Sequence, residues 1–230
     1  MYNRIVIKLT GHLFKSSGIN NELYHILDFI KKDHIVNNRK YYLIVGGGEY
    51  ARNLINALRS KGILNEELLD HIGIEVTRLH AFITSLLLKP YAAEVIPKNL
   101  KELRNLDTGD YGIIVMGGLK PGFSTNAVSA YVALIINADI LITLSRAGAL
   151  YTDDPQINPQ AKIIREINID EVEKLLNKYS EKAGYYPLLD RTAIRLIKQF
   201  RINTYIAPPT AIAINKILNG HNPGTKIIVE

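Results

Sequence analysis

Short runs of β-branched and aromatic residues recur along the chain, and several stop at glycine. Residues 4–8 (RIVIK) run into Thr10-Gly11, residues 41–45 (YYLIV) into Gly46-Gly47-Gly48, and residues 111–116 (YGIIVM) into Gly117-Gly118. Each reads as a buried strand feeding a glycine loop. Further strands are expected at 91–96, 138–143, 203–206 and 226–229. Between the strands the apolar spacing changes to a helical period. Leu23, Ile26, Leu27 and Ile30 share one face, with Asn20 or Asn21 placed to cap its start. A helix is expected over about 49–60. Another, over about 71–88, carries Ile72, Val76, Leu79, Ile83 and Leu86, whose steps of four, three, four and three trace one apolar stripe. Helices are also expected near 125–136, 169–179, 189–200 and 211–218. This alternation predicts an α/β fold, a three-layer α/β/α sandwich around a mainly parallel central sheet.

At 230 residues, 47% hydrophobic and 22% charged, the chain suits one domain over residues 1–230 with ample apolar surface to bury. A lobe boundary fits best at 151–159, where two Asp and two Pro cluster, dividing about 1–150 from about 151–230. No stretch approaches the roughly 18 apolar residues that cross a bilayer, and residues 1–8 carry no signal-peptide pattern, so a cytoplasmic protein without a membrane partner is expected. The absence of cysteine excludes disulfides, thiolate zinc sites and a cysteine nucleophile. Lys and Arg exceed Asp and Glu by 28 to 22, a net charge of +6. The cations are scattered rather than blocked, which favours a small phosphorylated ligand over nucleic acid.

Gly46, Gly48 and Ala51 satisfy the G-x-G-x-x-A pattern of dinucleotide binding after a strand and before a helix. An NAD-dependent oxidoreductase is therefore an alternative. It needs an acidic residue at the end of the next strand, and Asp70 has nearly the spacing but stands at the start of a helix, after a segment (63–69) that is not a strand. Read physically, three consecutive glycines let backbone amides approach an anion at a helix N-terminus, with Arg52 on the first turn. A tight turn beside a surface arginine is the plainer reading. The segment 116–125 (MGGLKPGFST) repeats the arrangement with a lysine and two hydroxyls, and no Walker loop occurs. With Lys8-Leu9-Thr10-Gly11, three strand ends carry glycine beside cationic or hydroxyl groups. Loops at the carboxyl ends of parallel strands share one crevice, so several phosphates in one crevice would explain all three.

Together these pieces resemble the amino acid kinase superfamily and, within it, the archaeal type of uridylate kinase. The resemblance rests on Lys8-Leu9-Thr10-Gly11, Gly46-Gly47-Gly48 with Ala51-Arg52, and Asp70 followed by Ile72-Gly73-Ile74 and Thr77-Arg78. It continues through Gly117-Gly118, Pro121-Gly122 with Ser124-Thr125, Tyr151 with Asp154-Pro155, Ala183-Gly184 before Leu189-Asp190, and Gly224-Thr225. It implies transfer of the ATP γ-phosphoryl group to UMP with Mg²⁺, in a homohexamer, with the first lobe binding the acceptor and the second the donor. Carried over by position, Lys8 would be catalytic. Gly47, Asp70, Leu119, Lys120, Pro121, Gly122, Phe123, Ser124 and Thr125 would bind UMP. Gly11, His12, Gly48, Arg52, Ser145, Arg146, Tyr151 and Asp154 would bind ATP, and no residue is assigned as a metal ligand. The residues by themselves leave plainer roles open: Asp70 as a helix cap, Tyr151 as a packed aromatic, Asp154-Pro155 as a turn and Lys8 as an exposed strand-end lysine.

The chemistry has an electrostatic rationale of its own. Bringing two phosphate dianions together sets about four charge pairs against one another at roughly 4 kcal/mol each, about 16 kcal/mol in all. Lys8, Mg²⁺ on the ATP oxygens and the amides of two glycine loops would cancel that repulsion without an acid or base, which is what phosphoryl transfer asks for. Three positions depart from the family pattern. Residues 145–151 (SRAGALY) stand where the family writes Thr-Asn-Val-Asp-Gly-Val-Tyr, so an acidic residue and a glycine are lost and Arg146 is gained. Asn126 stands where many members carry an aspartate that orients the lysine, and His12 replaces a small or hydroxylated residue, where it serves as a phosphate donor or a turn cap. These breaks keep two alternatives in view, a non-catalytic nucleotide or oxyanion binder and another phosphotransferase of the superfamily.

Overall fold

The protein is described here from a computed structural model covering residues 2–15, 18–155, 157–180 and 188–229. Ala183-Gly184 lies outside these described residues. The chain opens with β1 (Arg4–Leu9), a 3₁₀ turn (Gly11–Leu13) and a small hairpin of β2 (Phe14–Lys15) and β3 (Gly18–Ile19). There follow α1 (Asn21–Asn37), β4 (Lys40–Val45), α2 (Gly48–Ser60), α3 (Glu66–Leu87), α4 (Leu100–Asp107), β5 (Ile113–Met116), α5 (Thr125–Ile135) and β6 (Ile140–Leu144). The remainder comprises β7 (Leu150–Tyr151), β8 (Ile163–Ile164), β9 (Glu166–Asn168), α6 (Ile169–Ser180), α7 (Arg191–Gln199), β10 (Thr204–Ala207), α8 (Ala211–Leu218) and β11 (Thr225–Ile228).

Seven strands form one sheet in the order β5-β4-β1-β6-β10-β11-β9. The first five run parallel, β11 is antiparallel to β10, and β9 is parallel to β11. Because β1 is central, both its faces are covered, one wholly apolar and the other apolar only at Val6, between Arg4 and Lys8. Ile5, Ile7 and Leu9 pack with α1 and α8 through Leu23, Ile26, Ile30, Ile214 and Ile217. Val6 packs on the opposite face with Val128 and Val132 of α5 and Ile194 and Ile197 of α7. The expected three-layer sandwich is thus the observed one. The amino edge of the sheet is fastened by charge: Asp33 binds Arg39 at 2.8 Å and Tyr41, and Asp107 binds Arg4 at 2.6 Å and Tyr42.

Besides the short strands β2, β3, β7, β8 and β9, which were not expected, local expectations fail at three places. Residues 91–96 form no strand, only a single bridge from Ala92 to Ile113 at the β5 edge, because Pro90 and Pro97 bracket the segment and withhold amide donors. An unexpected helix, α4, follows, capped by Asn99 on the Glu102 amide at 3.0 Å, while Glu102 returns a bond from the Lys98 amide at 2.7 Å. Finally α3 begins at Glu66 rather than His71, capped by Asn65, so Asp70 is inside the helix and caps nothing. Only part of its apolar stripe faces inward: Val76 is buried and Ile83 packs against the core. Ile72, Leu79 and Leu86 are 37%, 50% and 46% exposed, and beside Val76 the helix buries Leu69, Thr77, His80, Ala81 and Thr84. Small and hydroxylated residues are needed on that side because α3 lies against the glycine loops, as its contacts below make plain.

Candidate active site

The carboxyl ends of β1, β4, β5 and β6 lie side by side in register, and each empties into one of the loops singled out above. The β1 and β4 loops touch backbone to backbone. A methyl group on Gly11 would lie 2.1 Å from the Gly48 nitrogen, and one on Gly48, which has φ +63°, would lie 2.2 Å from the Gly11 carbonyl oxygen. Glycine is therefore required here first by the contact between two loops. The loop is further held by His80, whose Nδ1 donates to the Gly46 carbonyl at 3.0 Å while its ring stacks on Phe14 at 4.1 Å. Burial holds His80 below its ordinary value despite the opposing Gly46 bond, so the ring stays neutral near pH 7.

Lys8 is the penultimate residue of β1, paired with Ile44 on one side and Thr143 on the other, on the sheet face that α5 covers. It is half-buried and makes no hydrogen bond or ion pair among the described residues. Desolvation by burial lowers its pKa to about 8. Two buried acceptors lie on the elements that flank β1, Thr143 Oγ1 on β6 and Asn126 Oδ1 on the first turn of α5, and neither has a partner among the described residues. Arg4, Lys40 and Arg39, by contrast, each pair with Asp107 or Asp33.

On one side of Lys8 lies the loop from β5 to α5. The Gly118 amide donates to Thr77 Oγ1 at 2.6 Å, and Thr77 passes its own proton to the Ile74 carbonyl at 2.6 Å. A methyl group on Gly117 would meet Thr77 Oγ1 and the Arg78 nitrogen at 2.7 Å, which is why α3 presents a threonine here. The Gly122 amide donates to Asp70 Oδ2 at 2.7 Å, and Arg78 Nη2 reaches the Leu119 carbonyl at 3.3 Å. Ser124, rather than Thr125, caps α5, taking the Asn126 and Ala127 amides at 3.1 Å each, and donates its own proton to Asp190, the cap of α7. Lys120 sits over the Phe123 ring at 4.5 Å. Gly47 stands between these groups and α2, since a methyl there would meet Ala51 Cβ at 2.7 Å and Thr77 Cγ2 at 3.4 Å. The structure thus gathers Gly47, Asp70 and residues 119–125. Sequence reading assigned no role to Thr77, Arg78 or Asp190; the Thr77-Arg78 dipeptide was the available signal.

On the other side, Ser145 and Arg146 follow β6. Ser145 Oγ accepts the Ala147 amide at 3.3 Å, and Tyr151 donates to the Ala147 carbonyl at 3.2 Å, so Tyr151 braces the loop that carries Arg146. Arg146 Nη1 contacts His12 Nε2 at 3.0 Å. Arg52, on the first turn of α2, is exposed. The carbonyl of Asp154 accepts the amides of Ile157 and Asn158 at 3.1 and 2.8 Å, so this residue heads a turn. The dinucleotide alternative loses its ribose ligand, because Asp70 lies within α3 and binds the Gly122 amide instead of ending a strand.

What converges is an ammonium, two guanidinium groups and amide-lined glycine loops at one sheet edge, a donor set made for phosphate oxygens. Known proteins agree with that chemistry. The amino acid kinase family model matches residues 3–208. Uridylate kinase from Metallosphaera sedula is 36% identical over 231 residues, covering 99% of both chains. That from Methanobrevibacter smithii is 35% identical, covering 98% of this chain and 99% of its own. The crystal structure of uridylate kinase from Archaeoglobus fulgidus superposes with a TM-score of 0.84 at 28% identity, covering 99% of this chain and 100% of that one. Likeness of this extent, in sequence and in shape alike, makes the chain a member of the amino acid kinase family.

Proposed function

We propose that the protein is a phosphotransferase that moves the γ-phosphoryl group of ATP to UMP, giving ADP and UDP. The observation that carries this reading is Lys8, a half-buried ammonium at the meeting point of the glycine loops that has no anionic partner among the described residues, while the buried cations at the amino edge are paired. A protein accepts a desolvated, unpaired ammonium where a ligand brings the counter-charge. The loop carrying Leu119, Lys120, Pro121, Gly122, Phe123, Ser124 and Thr125, with Gly47 and Asp70, holds UMP; one oxygen of the exposed Asp70 orders the loop and the other serves a ribose hydroxyl. Gly11, His12, Gly48, Arg52, Ser145, Arg146, Tyr151 and Asp154 serve ATP. In-line attack by a UMP phosphate oxygen needs its two charged partners held together, and Lys8 supplies the bridging charge. Asn126, neutral where many relatives carry an aspartate, leaves that charge undiminished.

Mg²⁺ is read as a companion of the ATP oxygens, where it neutralises charge while keeping several waters. The side chains around the crevice are cationic and suit the phosphate rather than the ion. A homohexamer is supported by the exposed apolar face of α3, formed by Leu68, Ile72, Leu79, Phe82 and Leu86. No helix among the described residues is long and apolar enough to cross a membrane, which is compatible with a cytoplasmic enzyme of nucleotide synthesis. Most donor-side candidates precede residue 151, so we read the division at 150/151 as one of chain lobes and not of substrates.

The test is ADP release from ATP and Mg²⁺ with UMP, CMP, acetylglutamate or an isoprenoid phosphate as acceptor. UMP is expected to turn over fastest, and Lys8→Ala to lose about two orders of magnitude with the fold intact. A Mg²⁺-dependent thermal shift with ATP and no turnover of any acceptor would replace this reading with the non-catalytic binder.

A further inference from the structure

His12 and Arg146 stand 134 residues apart in the chain and touch at 3.0 Å. Arginine carries only donors and stays protonated, so His12 Nε2 must be the acceptor. The contact therefore demands a neutral imidazole whose proton sits on Nδ1; a protonated His12 would set donor against donor and charge against charge. The charged groups around it come from every element packed there: Arg146 from the loop after β6, Arg52 and Glu49 from α2, and Lys15 from β2. Burial, then Arg146, then Arg52 hold His12 below its ordinary value, with Glu49 opposing and Lys15 adding to the effect. Among the described residues, Arg146, Arg52 and Lys15 form no ion pair. Three cations thus surround one base and one carboxylate, and two of the three places where the chain departs from its family pattern are the two residues that touch.

We propose that His12, Arg146 and Arg52 form a proton-coupled clamp for the polyphosphate of the phosphoryl donor. In the structure Arg146 rests on the neutral imidazole. When a polyphosphate enters, His12 takes one proton from solvent at Nε2, releases Arg146, and both donate to phosphate oxygens, with Arg52 completing the cage. The anion stabilises the imidazolium that the neighbouring cations had disfavoured, so donor affinity rises as pH falls through the titration of bound His12. Arg146 compensates in this way for the acidic residue lost from the same loop: the donor is gripped by its phosphates instead of its nucleoside. The proposal rests on the phosphoryl-transfer reading and deepens its donor side.

The experiment titrates the full chain with Mg²⁺ and inorganic tripolyphosphate by calorimetry near pH 6.5, in two buffers of different ionisation enthalpy, for wild type, His12→Gln and Arg146→Met. The probe lacks a nucleoside, so it reads the phosphate grip alone. Wild type is expected to take up more protons than His12→Gln, by an amount approaching one per site, since protonation of the probe itself is common to both. Arg146→Met, at an exposed position that spares folding, is expected to bind roughly tenfold more weakly and to take up fewer protons, because free His12 then titrates higher. Equal proton uptake in wild type and His12→Gln, or unchanged affinity in Arg146→Met, would overturn the clamp. The two readings fail separately. UMP turnover with no difference in proton uptake removes the clamp alone, while proton-coupled tripolyphosphate binding without UMP turnover removes the kinase and keeps the clamp.

Discussion

The two sides of the crevice are built on different principles. On the side of α3, the loop from β5 to α5 is fastened by an amide on a hydroxyl, Gly118 to Thr77, an amide on a carboxylate, Gly122 to Asp70, and a hydroxyl on a carboxylate, Ser124 to Asp190. Each is satisfied whether or not a ligand is bound, so that wall is preorganised. On the side of β6, the joining contact sets a guanidinium against an imidazole, which holds only while the imidazole is uncharged. One wall is set by folding and the other is left for an anion to set. Rigid placement of the acceptor with an adjustable grip on the donor is a workable division for an enzyme that must align two polyanions.

Lys8 lies between the walls, and changing it produces the largest expected effect. Lys8→Met should lower turnover of UMP by about two orders of magnitude and stabilise the fold. At neutral pH the buried ammonium costs up to about 3 kcal/mol, because its pKa of about 8 lies below the 10.5 of the exposed side chain. The unfolded chain binds the extra proton between those values, so wild-type stability should rise with pH above about 8, and Lys8→Met should lack the rise. Above about pH 10 the trend reverses, since desolvation by burial and their Asp33 and Asp107 partners keep Tyr41 and Tyr42 protonated in the fold while the unfolded tyrosines ionise. Chemical denaturation from pH 7 to 10 checks this; a flat wild-type profile would mean that the Lys8 ammonium is solvated.

Thr77→Val sharpens the contrast between the walls. It removes the acceptor of the buried Gly118 amide at nearly constant shape, which should cost about 1–3 kcal/mol of stability. With the loop loosened, KM for UMP should rise roughly tenfold while KM for ATP changes less than twofold. Steady-state kinetics with each substrate varied in turn decides it, and equal rises in both constants would show that the walls are not independent. Gly122→Ala is the mildest test. That residue has φ +77° with open space around its Cα, so alanine meets backbone strain but no clash and should cost about 1 kcal/mol, again with KM for UMP affected before KM for ATP.

The strands at 4–8, 41–45 and 111–116, the helices between them and the glycine loops that follow were legible because they depend on local period and on residues with restricted or permissive backbones. The Asn99–Glu102 cap of α4 was equally local and was there to be read. The buried face of α3 was not. Its leucines and isoleucines trace a stripe that suits a core, yet where α3 meets the glycine loops their close approach admits threonine, histidine and alanine, and Ile72, Leu79 and Leu86 turn outward. The roles of Thr77 and Asp190 were hidden for the same reason, since a side chain becomes a loop fastener only when another segment brings it an amide or a hydroxyl.

By itself, the order of residues determined which segments become strands and helices, that the sheet is mainly parallel, and that glycine, lysine and hydroxyl groups end up along one of its edges. Those features follow from periodicity, chain stiffness and the geometry of parallel strands, which need no knowledge of remote contacts. Tertiary structure alone decided that Gly11 and Gly48 face one another, that Asp70 meets a loop amide, that Lys8 has no counter-charge among the described residues and that Arg146 rests on His12. Each depends on atoms brought within about 3 Å from distant parts of the chain, and hydrogen bonding, desolvation and charge repulsion at that range change sign with small displacements that no sequence period encodes.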